Sequence, residues 1–107
     1  MTRKLIAITA CATGVAHTYM AEKALIKGAK KEGGVLIKVE TQGATGIGHR
    51  LTTRDVEIAE AVIFATDTKV RDSERFKGQL ILQVNVSAPI KDAQKVIEDA
   101  LKLADKK

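Results

Sequence analysis

The chain has 107 residues, 45% of them apolar and 29% charged, with a single proline. That length suits one hydrophobic core and not comfortably two, and the composition is that of a globular domain rather than a disordered segment. No apolar run approaches the 18–20 or so residues of a membrane span, and Leu5 to Cys11 is too short and too strand-like for the apolar part of a signal peptide. One cysteine excludes an internal disulfide framework and a Cys-rich zinc site, so the expectation is a reduced, cytosolic protein with one thiol.

The net charge of +5 is unevenly spread: residues 1–50 hold eight Lys/Arg against three Asp/Glu, and residues 51–107 hold ten of each. A basic half invites a nucleic-acid reading. Only Tyr19, Phe64 and Phe76 are aromatic, however, and the lysines fall on solvent positions of helices, so no nucleic-acid partner is expected. An acidic or phosphorylated partner fits the asymmetry.

The elements follow in chain order. Leu5 to Ala10 is a short apolar run rich in β-branched residues, as a strand buried on both faces requires. A helical period follows, with Met20, Ala21, Ala24, Leu25 and Gly28 on one side and Glu22, Lys23, Lys27, Lys30 and Lys31 on the other. Terminal lysines and Gly33-Gly34 mark its end. Val35 to Glu40 reads as a second strand, whose charges at Lys38 and Glu40 mark it as an edge. Thr41 to Leu51 reads as a glycine-bearing loop. The Thr52-x-x-Asp55 spacing is a capping box and predicts a short helix over about 53–60. Ala61 to Thr66 is a third strand, Asp67 to Lys77 a loop with a helical turn closed by Gly78, and Leu80 to Val84 a fourth strand. A last helix starts near Ser87 and Pro89, with Ile90, Ala93, Ile97, Ala100, Leu101 and Ala104 on one face.

This alternation predicts an α/β fold: one domain over residues 1–107, an open four-stranded parallel sheet in the order 2-1-3-4, and helices on both faces. The two most apolar strands take the centre. In such sheets ligands sit beyond the carboxyl ends of the strands where the order reverses, here between the first and third strands. That places the segment starting at Cys11 beside the segment starting at Asp67.

Cys11-Ala12-Thr13-Gly14-Val15-Ala16-His17-Thr18 runs from a central strand into a helix N-terminus. Backbone N–H groups at such a turn, backed by the helix dipole, form an anion nest. Gly14 lets the backbone curl, and the Thr13 and Thr18 hydroxyls can donate. The same field favours a thiolate at Cys11. The other reading of Cys11 is an inert buried thiol, and the residues alone leave both open. His17 at a helix start favours a neutral ring or a compensating anion, or is a surface histidine without a role. His49 reads as loop surface.

The Gln42-Gly43-Ala44-Thr45-Gly46-Ile47-Gly48 segment is neither a dinucleotide fingerprint nor a P-loop, so no nucleotide cofactor is expected. It leaves the end of the second strand and either walls the Cys11 site or merely connects. No metal ligand set is apparent. A thioredoxin-type enzyme needs a second cysteine at position 14, which is Gly. A C-x5-R phosphatase needs arginine where the chain has His17, and loses with it the bidentate clamp on transition-state charge. A receiver domain needs an acidic pair after the first strand. What survives is a cysteine that accepts and passes on a phosphoryl group.

Cys11 to Thr18 is similar to the C-P-T-G-[IV]-A-H-T motif of the fructose-type IIB components of the bacterial phosphoenolpyruvate-dependent sugar phosphotransferase system. Val39-Glu40-Thr41-Gln42-Gly43, with Gly46-Ile47, resembles the V-E-T-Q-G-x-x-G stretch of the same family, and Ala61-Val62-Ile63, Asp67 and Arg75-Phe76 extend the likeness over about residues 3–101. The resemblance implies a phosphate loop like that of IIB domains and low-molecular-weight phosphatases. It implies that Cys11 takes a phosphoryl group from phosphohistidine on a IIA partner and gives it to a sugar, fructose or a relative of it, on a membrane IIC partner. On that view Ala12, Thr13, Gly14, Val15, Ala16, His17 and Thr18 cradle the phosphate, and Gln42, Gly43 and Asp67 line the rim. The protein would be cytoplasmic, peripheral to the inner membrane through IIC and not inserted in it. Ala12 departs from the family proline, which would pre-set the backbone after the cysteine. A regulatory phospho-relay and a cysteine phosphatase are the other readings. The initiating methionine and full last helix fit a separate polypeptide or a well-cut domain.

Overall fold

The computed structural model describes residues 3–10, 15–43, 46–70 and 73–106. Its elements are β1 (Arg3–Ala10), α1 (Val15–Glu32), β2 (Val35–Gly43), β3 (Gly46–Gly48), α2 (Thr53–Ile58), β4 (Ala61–Thr66), a 3-10 turn at Ser73–Phe76, β5 (Ile81–Val84) and α3 (Ser87–Asp105). The sheet order is β3-β2-β1-β4-β5. Three parallel pairings join β2, β1, β4 and β5 in the order expected from the alternating pattern.

Two features differ from the sequence expectation. The sheet has five strands instead of four, because β2 continues to Gly43 and turns back into β3, antiparallel, pairing Gln42 with Ile47. A three-residue strand with glycine at both ends carries no propensity signal. The charge at Glu40 does not mark an edge either: it is 0% exposed.

Alternation divides the core in two. Leu5, Ala7, Val39, Ala61, Ile63 and Ala65 face α1 and α3, meeting Leu25, Ala29, Val96, Ile97 and Ala100. Ile6, Ile8, Val62 and Phe64 face the opposite side, where Leu51, Val56, Ala59, Val70 and Phe76 cover them. β1 and β4 are buried along almost their whole length, as central parallel strands must be. Of the expected α1 stripe, Ala21, Leu25 and Gly28 are buried and Ala24 is half-buried, but Met20 is 49% exposed, and Ala29 joins the buried side. Met20 lies one residue off the line that faces the sheet and α3.

Helix α1 ends where expected, at Gly33, whose φ of +74° only glycine adopts at no cost. Helix α2 is capped as its spacing predicts, with the Asp55 N–H donating to Thr52 Oγ1 and the Thr52 N–H to Asp55 Oδ2. Helix α3 is broken at Asp92, with φ −156° and ψ 85°, and restarts as the Lys95 N–H donates to Asp92 Oδ1. This break separates Ile90 from the straight apolar face running through Ile97 and Ala100. The start of β1 and the end of α3 meet at Arg3, whose Nη2 lies 2.7 Å from both Glu60 Oε1 and Asp105 Oδ1.

The α1–α3 contact rests on Gly28. A Cβ there would lie 2.9 Å from Ala93 Cβ and 3.3 Å from the Ala93 carbonyl carbon, neither of which can swing away. Gly28→Val is therefore expected to cost about 1–3 kcal/mol through overpacking, read as a lower thermal midpoint by circular dichroism. An unchanged midpoint would show that the helices separate freely.

Candidate functional site

The carboxyl ends of three parallel strands define the site. Ala10, the last residue of β1, pairs with Gln42 of β2 on one side and with Thr66 of β4 on the other. The Asp67 N–H, just past β4, donates to the Ala10 carbonyl at 3.1 Å. Gln42 and Asp67 thus flank the residue that precedes Cys11, and Gly43 follows at the hairpin. Asp67 is exposed and Gln42 only 3% exposed, so the rim is open on one side and closed on the other. Cys11, Ala12, Thr13 and Gly14 lie outside the described residues. So do the side chains of Val15 and Ala16, although both belong to the first turn of α1.

His17 and Thr18 complete the first turn of α1. The ring of His17 is exposed, while Thr18 is 1% exposed, with a buried hydroxyl that no described group satisfies. Thr9, 0% exposed in β1, likewise buries an unsatisfied hydroxyl. Buried hydroxyls are nearly always hydrogen-bonded. Each therefore holds donor capacity that no described group uses. His49, read as plain loop surface, is exposed but tethered: its Nδ1 lies 2.9 Å from Glu22 Oε2 of α1.

Behind Gln42 lies a charged centre that the motifs pointed at without explaining. The Glu40 carboxylate accepts four hydrogen bonds, two on each oxygen. Oε1 takes the Leu51 N–H at 2.9 Å and Arg75 Nη1 at 2.9 Å. Oε2 takes Gln42 Nε2 at 2.9 Å and Arg75 Nη2 at 2.8 Å. Four acceptor positions are about what an ionised carboxylate has, so the group is saturated. Burial pushes its pKa upward, but Arg75, Gln42 and the Leu51 N–H outweigh that and hold it below the usual carboxylate range. Arg75 also stacks over Phe76, 4.8 Å from the ring centroid. The signal available in the sequence was strand parity: Glu40 shares its side of β2 with Gln42, in a strand whose neighbour is central.

Among the described residues no group of His, Cys, Asp and Glu is arranged to hold a metal ion, and no helix is long and apolar enough to cross a membrane.

Comparison with known proteins brings a consistent set of relatives. Residues 6–99 match the family described as the lactose/cellobiose-specific IIB subunit of the PTS system. The fructose-specific EIIABC component of Bacillus subtilis is 53% identical over 98 residues, 92% of this chain but 15% of that much longer protein. The fructose-like EIIB component 2 of Escherichia coli K12 is 47% identical over 94 residues, 88% of each chain. The solution structure of a PTS enzyme IIB subunit from Escherichia coli K12 superposes with a TM-score of 0.88 at 37% identity, covering 99% of this chain and 97% of that one.

Proposed function

The chain belongs to the IIB family of the sugar phosphotransferase system, with fructose-type relatives, and from that premise we propose that Cys11 is its phosphoryl carrier. The observation that carries the reading is the strand register: Gln42 and Asp67 stand on either side of Ala10, and the next residue along the chain is the single cysteine.

In the first step the Cys11 thiolate attacks the phosphorus of a phosphohistidine on a IIA partner. The S–P bond forms as the P–N bond breaks, and the electron pair returns to the imidazole. In the second, a hydroxyl of a sugar held by a membrane IIC partner attacks the phosphorus: the O–P bond forms as the S–P bond breaks, the electron pair returns to sulfur as thiolate, and the hydroxyl proton passes to solvent. Loose phosphoryl transfer asks the protein for positioning and charge stabilisation more than for covalent help. The backbone from Ala12 to Thr18 would supply these by holding three phosphoryl oxygens at the α1 N-terminus, where dipole and N–H groups favour an anion. The buried Thr18 hydroxyl, with no partner among the described residues, supports that role. Fructose or a closely related sugar is the proposed acceptor. The excess positive charge of residues 1–50 suits an acidic surface on IIA and would raise the encounter rate at low salt.

Two measurements test this. Mixed with a phosphorylated IIA domain, the protein should gain one phosphoryl group, mapped by mass spectrometry to the peptide containing Cys11. A phosphoryl group on any other residue would overturn the assignment. Given p-nitrophenyl phosphate alone, it should release no phosphate above background, because His17 stands where the C-x5-R phosphatases have their arginine. Steady turnover would favour the hydrolase reading.

A further inference from the structure

We propose that Glu40 is a positioning residue for phosphoryl transfer at Cys11, acting through the Gln42 carboxamide that it clamps; the inference rests on Cys11 being the phosphoryl carrier. A glutamine amide can be turned either way round, and its two ends offer opposite hydrogen-bonding character. Glu40 removes that freedom. An ionised carboxylate only accepts, so the contact at 2.9 Å can be made only by Nε2 of Gln42. The carboxamide is thereby held in one flip state, beside the strand end where Ala10 leads into Cys11.

Using a carboxylate for this carries a hazard. Glu40 pairs across the sheet with Ile8 and Gln42 with Ala10, so the negative charge sits two residues back from the strand end that would receive a phosphoryl group. Left bare, it would repel the incoming anion. Arg75 meets it with two parallel hydrogen bonds, at 2.9 and 2.8 Å, and cancels the charge without competing for Gln42 Nε2. The Leu51 N–H fills the remaining acceptor position and ties the segment before α2 to the same group. Glu40 thus orients a neighbour while presenting almost no net charge. Its three partners come from β2, the segment before α2 and the 3-10 turn, three parts of the chain that no local sequence preference brings together.

The test is a double-mutant cycle on the rate of phosphoryl transfer from a phosphorylated IIA domain to Cys11 in single turnover, with Tm followed in parallel. The variants are Glu40→Gln, Gln42→Ala and the pair combined. Glu40→Gln keeps the volume but lets the side chain donate as well as accept, so Gln42 is no longer forced one way round. The expected result is a slowing of about 10-fold to 100-fold, the range seen when an outer orienting partner of a reactive group is removed. Gln42→Ala should slow transfer similarly, and Glu40→Gln should slow it no further once Gln42 is gone. Should Glu40→Gln not fold, Glu40→Gln combined with Arg75→Met, which removes both charges of the Glu40–Arg75 pair, takes its place in the cycle. A merely structural Glu40 would instead give a Tm loss, with rate effects that persist unchanged in the Gln42→Ala background. That outcome, or an unchanged rate in the presence of Gln42, overturns the inference while leaving Cys11 as the carrier. If the wild-type chain itself accepts no phosphoryl group, the carrier reading fails and the positioning role fails with it.

Discussion

Cys11→Ser is expected to lower phosphoryl acceptance from a phosphorylated IIA domain by on the order of a thousandfold or more, since deleting the nucleophile of a covalent relay deletes the step itself. The substitution changes one atom and little volume, so the loss belongs to chemistry. The proposed relay runs through a thiolate, and a thiol ionises far more readily than an alcohol. A serine hydroxyl in the same place has no comparable ionised fraction and no second group identified to take its proton. The check is the single-turnover assay with labelled IIA, alongside a circular dichroism melt showing the variant folded. Retained acceptance by folded Cys11→Ser would show that the phosphoryl group goes elsewhere.

The second large effect is on stability. Arg75→Met strips the bidentate partner from a carboxylate that is 0% exposed. Breaking a buried pair by removing one member leaves an uncompensated charge and typically costs about 3–5 kcal/mol, a large part of a domain's total of about 5–15 kcal/mol. A fall in Tm of about ten degrees or more is expected at pH 7.

The pH dependence gives this prediction a sign. In the wild type the folded-state pKa of Glu40 lies below its ordinary 4.5. The pair's contribution is therefore fully present above about 4.5 and is lost as pH falls through the folded value. In Arg75→Met burial dominates and the folded pKa rises above the unfolded one. The variant then gains stability, relative to pH 7, as acid protonates Glu40. The Tm gap between the two proteins should narrow from pH 7 to pH 5. A gap that stays constant would mean that the carboxylate is already relieved by water or by another cation.

Much of this was readable from the chain because the determinants are local. Leu5–Ala10 and Ala61–Thr66 announce central parallel strands, since burial on both faces removes the need for alternating polarity. Thr52 and Asp55 announce a helix start because both capping bonds close within four residues. The ends of β2 and β4 could be placed beside the end of β1 from topology alone, because strands laid side by side bring their ends together. Of the Glu40 centre only the shared side with Gln42 was readable, by strand parity; its other partners were not. Its guanidinium partner lies 35 residues further along the chain, and its N–H partner 11. A charge in a strand looks the same in sequence whether it faces solvent or a buried arginine. The exposure of Met20 and the break at Asp92 are likewise not signalled by the helical period. The β3 hairpin arises from backbone pairing with almost no side chains to signal it.

The ion pairs of Arg3 with Glu60 and Asp105 hold residue 3 and residue 105 within one side chain's reach. A folded unit whose entry and exit points coincide behaves as a plug-in cassette. It can be spliced between two other segments without asking them to bridge its width, and the entropy of closing the connection is small. That geometry asks nothing of whatever adjoins residue 3 or residue 105.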